Sequence, residues 1–467
     1  MLLQFRSRNI ITFSSNFCYT NDMNMKNTRK EINEDCERYI TAHYDEVKAA
    51  CLAIREKLPD SPLYCNGHLL ARPLTMQKIY TEEDEKIFAD VVSTMHSICR
   101  KVIHRYLADA GYRSLFPFSR ELEELILTDP GYDQPLPIAR FDIFYNEDTG
   151  SYKFCEINTD GTSAMNEDVV WNRLMEDNPA HMYIRQKYGL TQRELFDSWV
   201  SAFMDIYSGY KDRVAHPAVA VIDFLDTGTL TEFQEFARHF RKAGYDCCVC
   251  DARELRYDGE HLRTKDGAVI DAVYRRAVTS DLMAHFDEVR PLISAIRDRH
   301  VFLAGSLRTQ VVHNKAFFTI MHLPQTQEFL SDREIDFIRE HIPYTCDFGP
   351  GSIELDEVLN NKDRYILKPN DSYGASGVAD GLGHSPEEWE KICREYYGNG
   401  FICQEYCRPY ESRNIDFMFG DGRFHNYINM TGLYAYNGKY AGAYTRLSRE
   451  TLIVSYGNER SVASYYI

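Results

Sequence analysis

Four polar residues, Arg140, Asp142, Glu156 and Asn158, sit in two runs of alternating character, residues 139–145 and 152–158. Between the runs lie Asn146, Glu147, Asp148, Thr149 and Gly150, whose types favour a turn, so the stretch predicts a β-hairpin. Side chains in a strand repeat their direction every second residue, so Arg140 and Asp142 share one face of the first strand, and Glu156 and Asn158 one face of the second. A hairpin in register then carries an arginine, two carboxylates and an amide oxygen on one side, with Phe141, Ile143, Phe154 and Ile157 buried on the other. Hard oxygen ligands on a rigid sheet suit Mg²⁺, which is commonly held by one or two carboxylates together with substrate phosphates. An arginine beside them fits a phosphorylated or tetrahedral species, because its planar fork matches those oxygens. The competing reading is a solvated strand face with cross-strand ion pairs.

The elements that position this face belong to a chain of 467 residues, more than one hydrophobic core usually supports, so two or three packed units are expected. Apolar residues make up 44% and charged residues 26%, as in ordinary soluble globular proteins. A net charge of −17 and the lack of a dense basic run exclude a general affinity for nucleic acid. No apolar run approaches the roughly 20 residues that cross a bilayer. The 13 cysteines are scattered and read as reduced thiols of a cytoplasmic protein. Cys247 and Cys250 form a C-x-x-C within an expected strand, and buried structural cysteine is the favoured reading. Residues 1–35 are expected to be a disordered, functionally silent tail. Arg6, Arg8 and several serines faintly suggest a transit peptide, and a true start at Met23 or Met25 explains them as well.

Residues 36–213 are expected to hold a helical region and the hairpin. Helical spacing recurs in Tyr39, Ala42, Val47, Ala50 and Ile54, and again in Phe88, Val91, Val92, Met95 and Ile98, with a short extended piece at 70–75 between. The loop 159–164 leaves the hairpin for a helix opening at Asn166 and Glu167, a type of helix start that suits an anion, although a plain turn and N-cap is its commoner meaning. Residues 214–310 predict a small parallel α/β unit: a strand at 218–224, a helix near 231–243, a strand at 246–250, and strand signals at 255–262 and 268–275. No G-x-G-x-x-G follows its first strand, which argues against a dinucleotide site there.

Residues 311–467 carry the remaining polar set. Lys315 opens a helix, Lys368 ends a strand before Pro369, and a small-residue loop holds Ser372, Gly374, Ser376 and Gly377. A further strand ends in Gln404, Glu405, Tyr406 and Cys407. Lysines on fixed elements beside a glycine loop are what a triphosphate requires.

The E-x-N of Glu156 and Asn158, with Asp142 upstream, resembles the metal-binding signature of ATP-grasp ligases. Lys315, Lys368, the 372–377 loop and the Gln404–Glu405 strand resemble the nucleotide half of that fold. Here the lysines follow the metal ligands along the chain. That order marks the circularly permuted ATP-grasp group, and within it the chain is similar to the synthetase domain of glutathionylspermidine synthase over most of residues 36–467. Gly161 and Ala164 depart from that pattern, standing where better-known members carry serine and cysteine. The resemblance implies an α+β and α/β fold with a small pre-ATP-grasp-like α/β domain at 214–310 and a nucleotide-binding half at 311–467. It also implies an ATP- and Mg²⁺-dependent ligase that joins a small-molecule carboxylate to an amine through an acyl phosphate. Asp142, Glu156 and Asn158 would hold the metal, and Lys315 and Lys368 the phosphates. Residues 404–407 would read the adenine, and Arg140 would stabilise the reacting centre. Asp160, Ser163, Glu167 and Arg446 would contact the acid and amine. A phosphotransferase and a non-catalytic nucleotide-binding protein are the alternatives.

Overall fold

The computed structural model describes residues 16–372, 374–455 and 457–467. Strands β1 (Ile138–Tyr145) and β2 (Tyr152–Asn158) pair antiparallel, with Arg140 opposite Asn158 and Asp142 opposite Glu156. Asn146 closes the turn by accepting from Gly150, whose φ of 74° is the left-handed conformation glycine tolerates. Strict alternation would put Phe154 on the polar face beside Glu156. The register instead skips Cys155, and this bulge turns Phe154 back to face Ile143 in the core.

The expected α/β unit is present. Strands β3 (Val219–Asp223), β4 (Cys247–Asp251), β5 (Ala272–Arg275) and β6 (Phe302–Ala304) form a parallel sheet in the order β6-β5-β3-β4. The helix Leu230–Lys242 packs Phe233, Phe236 and Phe240 into its core. Most of the 255–270 stretch does not join this sheet. It folds on itself as three two-residue strands, turned at Gly267 with φ 93°.

A second sheet, antiparallel, holds β7 (Thr345–Asp347), β8 (Tyr365–Pro369), β9 (Ala379–Asp380) and β10 (Phe401–Glu405) in the order β7-β10-β8-β9. The chain then returns to the hairpin. Strands β11 (Glu411–Ile415), β12 (Phe424–Tyr436), β13 (Lys439–Ser448) and β14 (Arg460–Val462) complete a seven-stranded sheet in which β12 lies between β13 and β1. The short strand Arg72–Pro73 closes its far edge beside β14. Segments 36–213 and 311–467 therefore share one sheet, although they read as separate units in sequence.

The helix Glu82–Ala108, started by a capping box from Thr81, lays Val91, Val92, Met95 and Ile98 into the same core as Phe141, Ile143, Phe154 and Ile157. The expected tail needs correction where it is described. A helix spans Asn16–Ala42, and Ile32, Cys36 and Ile40 repeat at its period into a core with Val47, Cys51 and Ile54. Arg6 and Arg8 lie outside the described residues. Among the described residues, no helix is long and apolar enough to cross a membrane.

Candidate functional site

Asp142 is the centre of the polar face and is fully buried. Arg140 donates to it through Nε at 2.7 Å and through a terminal nitrogen at 3.0 Å. Asn158 Nδ2 donates at 3.0 Å, and Arg446, reaching across from β13, donates at 2.5 Å. Two arginines can converge on one aspartate because β12 presents Gly432 opposite Asp142. A Cβ there would stand 2.7 Å from Arg140 Cδ and 2.8 Å from Asp142 Oδ1.

The two lysines arrive from the far half of the chain. Lys315 Nζ lies 3.1 Å from Glu156 Oε1 and donates to the Ser372 carbonyl at 2.6 Å. Lys368 on β8 donates to Gln404 Oε1 at 2.8 Å and to the Cys155 carbonyl, exposed by the bulge, at 2.9 Å. Burial pushes the Glu156 carboxyl up, yet Lys315, Arg446 and Lys368 together hold it down at about 2. Glu156, Lys315, Lys368, Gly374, Gln404 and Cys407 line one cleft between the hairpin and β8–β10. Ser372, Glu405 and Tyr406 also reach it. Ser376 and Gly377 are exposed and do not line it; the loop turns back there over Pro369. The N–H groups of Glu405 and Tyr406 are taken by the carbonyls of Tyr344 and Arg364, so those two donors are not available to a purine edge.

A second, inner cavity opens on the other side of Glu156 and Arg446, which line both. Asn158, Ser163 and Glu167 face it, with Arg140, Asp223 and Arg276. The Ser163 carbonyl accepts from Arg140 and from the Tyr434 hydroxyl, both at 2.8 Å, which pins the 159–164 loop. Burial, with Glu232 nearby, raises Glu167 to about 8, and its Oε2 is buried without a hydrogen-bond partner among the described residues. Burial raises Asp223 to about 7. Asp160 also lines this cavity, but its carboxylate is already engaged. It is paired with the buried Arg275 and accepts the Thr279 N–H at 2.5 Å, which ties the loop to β5.

Asp223, Arg276 and Gly432 escaped the sequence reading, although signals for them exist. Asp223 ends a parallel strand and Arg276 follows another, at the carboxyl edge where open α/β sheets bind ligands. A lone glycine inside a strand, as at Gly432, marks a close approach.

No protein-family model matches the chain. A solved glutathione synthetase-like effector from Globodera pallida superposes with a TM-score of 0.58 over 90% of this chain and 96% of that one, at 12% identity. The chain shares that fold. A Methylobacillus flagellatus KT protein named as a gamma-glutamylcysteine synthetase gives a TM-score of 0.43 over 84% of this chain and 89% of that one, at 12% identity. In sequence, a Frankia casuarinae protein carrying the name glutamate–cysteine ligase 2-2 is 27% identical over 193 residues, 39% of this chain. The match spans only 21% of that relative's length.

The donor set fits a hard divalent cation. Glu156, with about a quarter of its side chain open, faces the cleft. Asn158 donates an amide N–H to Asp142, and its side-chain oxygen has no hydrogen-bond partner among the described residues. Both Asp142 oxygens are engaged by the arginines and Asn158, so Asp142 could serve as a metal ligand only if Arg140 or Arg446 turned to another anion.

Proposed function

We propose that this chain is an ATP-dependent carboxylate–amine ligase of the circularly permuted ATP-grasp type, similar to the synthetase domain of glutathionylspermidine synthase. The observation that carries the reading is the meeting of Lys315 and Lys368, from the far half of the chain, with Glu156 and the Cys155 carbonyl on the hairpin. A carboxylate needs activation before an amine can displace its oxygen, and phosphorylation by ATP provides it. Lys315 and Lys368 bind the nucleotide phosphates as point charges. Asp142, Glu156 and Asn158 would hold Mg²⁺, which neutralises charge on the transferring phosphoryl group.

Arg140 and Arg446, released in part from Asp142, hold the carboxylate substrate and the tetrahedral adduct that forms when the amine attacks. Such preorganised donors are typically worth about 10²–10³ in rate. The inner cavity receives the amine. Glu167 and Asp223 sit near neutrality in their titration, so a cationic amine favours their charged forms and an attacking amine finds a proton acceptor in them.

The test is calorimetric titration with Mg²⁺–ATP, followed by ADP release with pooled amino acids, short peptides and polyamines. Lys368→Met is expected to weaken nucleotide binding by about 10- to 100-fold, the worth of a charge-assisted hydrogen bond. A chain that binds no Mg²⁺–ATP sinks the reading. A stable phosphorylated product formed without an amine converts it to a phosphotransferase.

A further inference from the structure

The C-x-x-C of the sequence directs attention to Cys247 and Cys250, yet the structure pairs different thiols. Cys247 faces the helix side of β4 and packs in the core with Phe236 and Phe240. Cys248 and Cys250, two apart, share the opposite face, with their sulfurs 3.5 Å in contact and both side chains part-exposed. Two features set this pair apart from a buried structural cysteine. β4 is an edge strand with β3 as its one sheet neighbour, so it can pucker without breaking a second ladder. The two thiols share a hydrogen bond that either sulfur can donate; with Cys250 as the donor, that bond, opposed by burial and aided by Arg241, draws Cys248 below the ordinary thiol range while Cys250 is pushed up. One nucleophilic sulfur therefore lies beside one resolving thiol.

The strand is also geared to the inner cavity. Ala220 pairs with Cys248, Ile222 with Cys250 and Asp223 with Asp251. Asp251 then accepts the Leu225 N–H at 3.1 Å, while Asp223, Thr227 and Thr229 line the cavity. Drawing Cys248 and Cys250 together shortens β4 just ahead of Asp251.

We propose that Cys248 and Cys250 are a dithiol modification site, oxidised by a hydroperoxide to an intrachain disulfide that repositions loop 224–229 at the inner cavity. The Cys248 thiolate attacks the peroxide oxygen, the O–O bond breaks, and a sulfenic acid forms as water leaves. Cys250 gives up its proton and displaces the sulfenic oxygen as a second water, closing the S–S bond. Two thiols lose two electrons and one hydrogen peroxide is reduced to two waters. The site does not depend on which substrates the cavity takes.

The test treats the full chain with hydrogen peroxide and maps it by peptide mass spectrometry and amide exchange. The expected product is a peptide lacking two hydrogens at Cys248 and Cys250. Cys250→Ser should instead leave a Cys248 sulfenic acid that dimedone traps. Losing the Asp251 contact should speed exchange at the Leu225 amide roughly fivefold, with no change in peroxide-treated Cys250→Ser. Oxidation confined to Cys155 or Cys407 overturns the site. A disulfide that leaves Leu225 exchange unchanged overturns its link to the cavity.

Discussion

The two ends of one hairpin hold buried charge in opposite ways. At the turn, Glu147 pairs with Lys78 and Arg29, and Arg29 reaches Asp84 at 2.6 Å. Asp84 also accepts from the Tyr145 hydroxyl at 2.5 Å, and Lys78 donates to Asn429 at 2.7 Å. Arg29, Lys78, Asp84 and Glu147 are all buried, and protein groups meet each of them. At the other end, Arg140, Asp142, Glu156, Arg446 and Lys315 form a cluster of similar size whose outer groups face a cleft and an inner cavity. Burying an ion pair gains little net stability, whereas stranding one partner costs a great deal. The cluster at the turn is closed in the sense that its cations and carboxylates answer one another, although Arg29, Lys78 and Glu147 also line a pocket there, and it acts on the fold by tying the Asn16–Ala42 helix to the turn. The open one keeps charge available for a ligand that is itself charged.

The largest expected effect lies at the closed end. Glu147→Gln takes from Lys78 the carboxylate it pairs with and leaves Arg29 against Asp84 alone, which should cost about 3–5 kcal/mol, read as the shift of the urea unfolding curve. Mg²⁺–ATP affinity of the folded protein should be unchanged. Lys368→Met should do the reverse, lowering nucleotide affinity while the unfolding midpoint holds or rises, because one of several crowded cations has gone. Should Glu147→Gln damage binding and leave stability alone, the contrast between the two ends is broken.

A carboxylate elsewhere sharpens the contrast because, among the described residues, no cation pairs with it. Asp168, in the helix Met165–Leu174, accepts from Asn172 at 3.1 Å, and burial raises it to about 7. Between the ordinary value, 3.8, and about 7, folded Asp168 keeps a proton that the unfolded chain has released. Stability therefore falls as pH rises through that window, by up to about 1.4 kcal/mol per pH unit from this group. Asp168→Asn should remove that share of the slope in unfolding curves taken across the window. An unaltered slope would mean that Asp168 is ionised without a cation beside it.

What could be read from the chain beforehand divides along the same line. The hairpin, the opposition of Arg140 and Asp142 to Asn158 and Glu156, and the strands ending near Lys368 and Gln404 follow from local period and turn chemistry. Long-range closure was not legible. Glu147 reads as a turn residue in solvent, because Arg29 lies 118 residues away in a segment expected to be disordered. The resemblance makes Asp160 a substrate contact, and nothing nearby in sequence announces its partner Arg275. The Cys155 bulge is hidden too: Phe154 reads as a core residue, yet period two puts it there only with one extra residue in the strand.

The smallest change tests how tightly the open cluster is set. Gly432 has no left-handed backbone to protect, so Gly432→Ala acts through its Cβ alone, which meets Arg140 Cδ at 2.7 Å and Asp142 Oδ1 at 2.8 Å. Neither atom is a free end. Asp142 is held by four donors, and the Arg140 guanidinium is also bonded to the Ser163 carbonyl. Overpacking of this kind costs about 1–3 kcal/mol. The open side gives Arg140 somewhere to go, so the stability loss should fall at the low end of that range. The displaced guanidinium should then weaken ATP-dependent turnover more than it weakens nucleotide binding, which rests on the lysines. A variant with full turnover and a stability loss at the top of the range would show that Arg140 is braced on every side, as closed as the cluster at the turn.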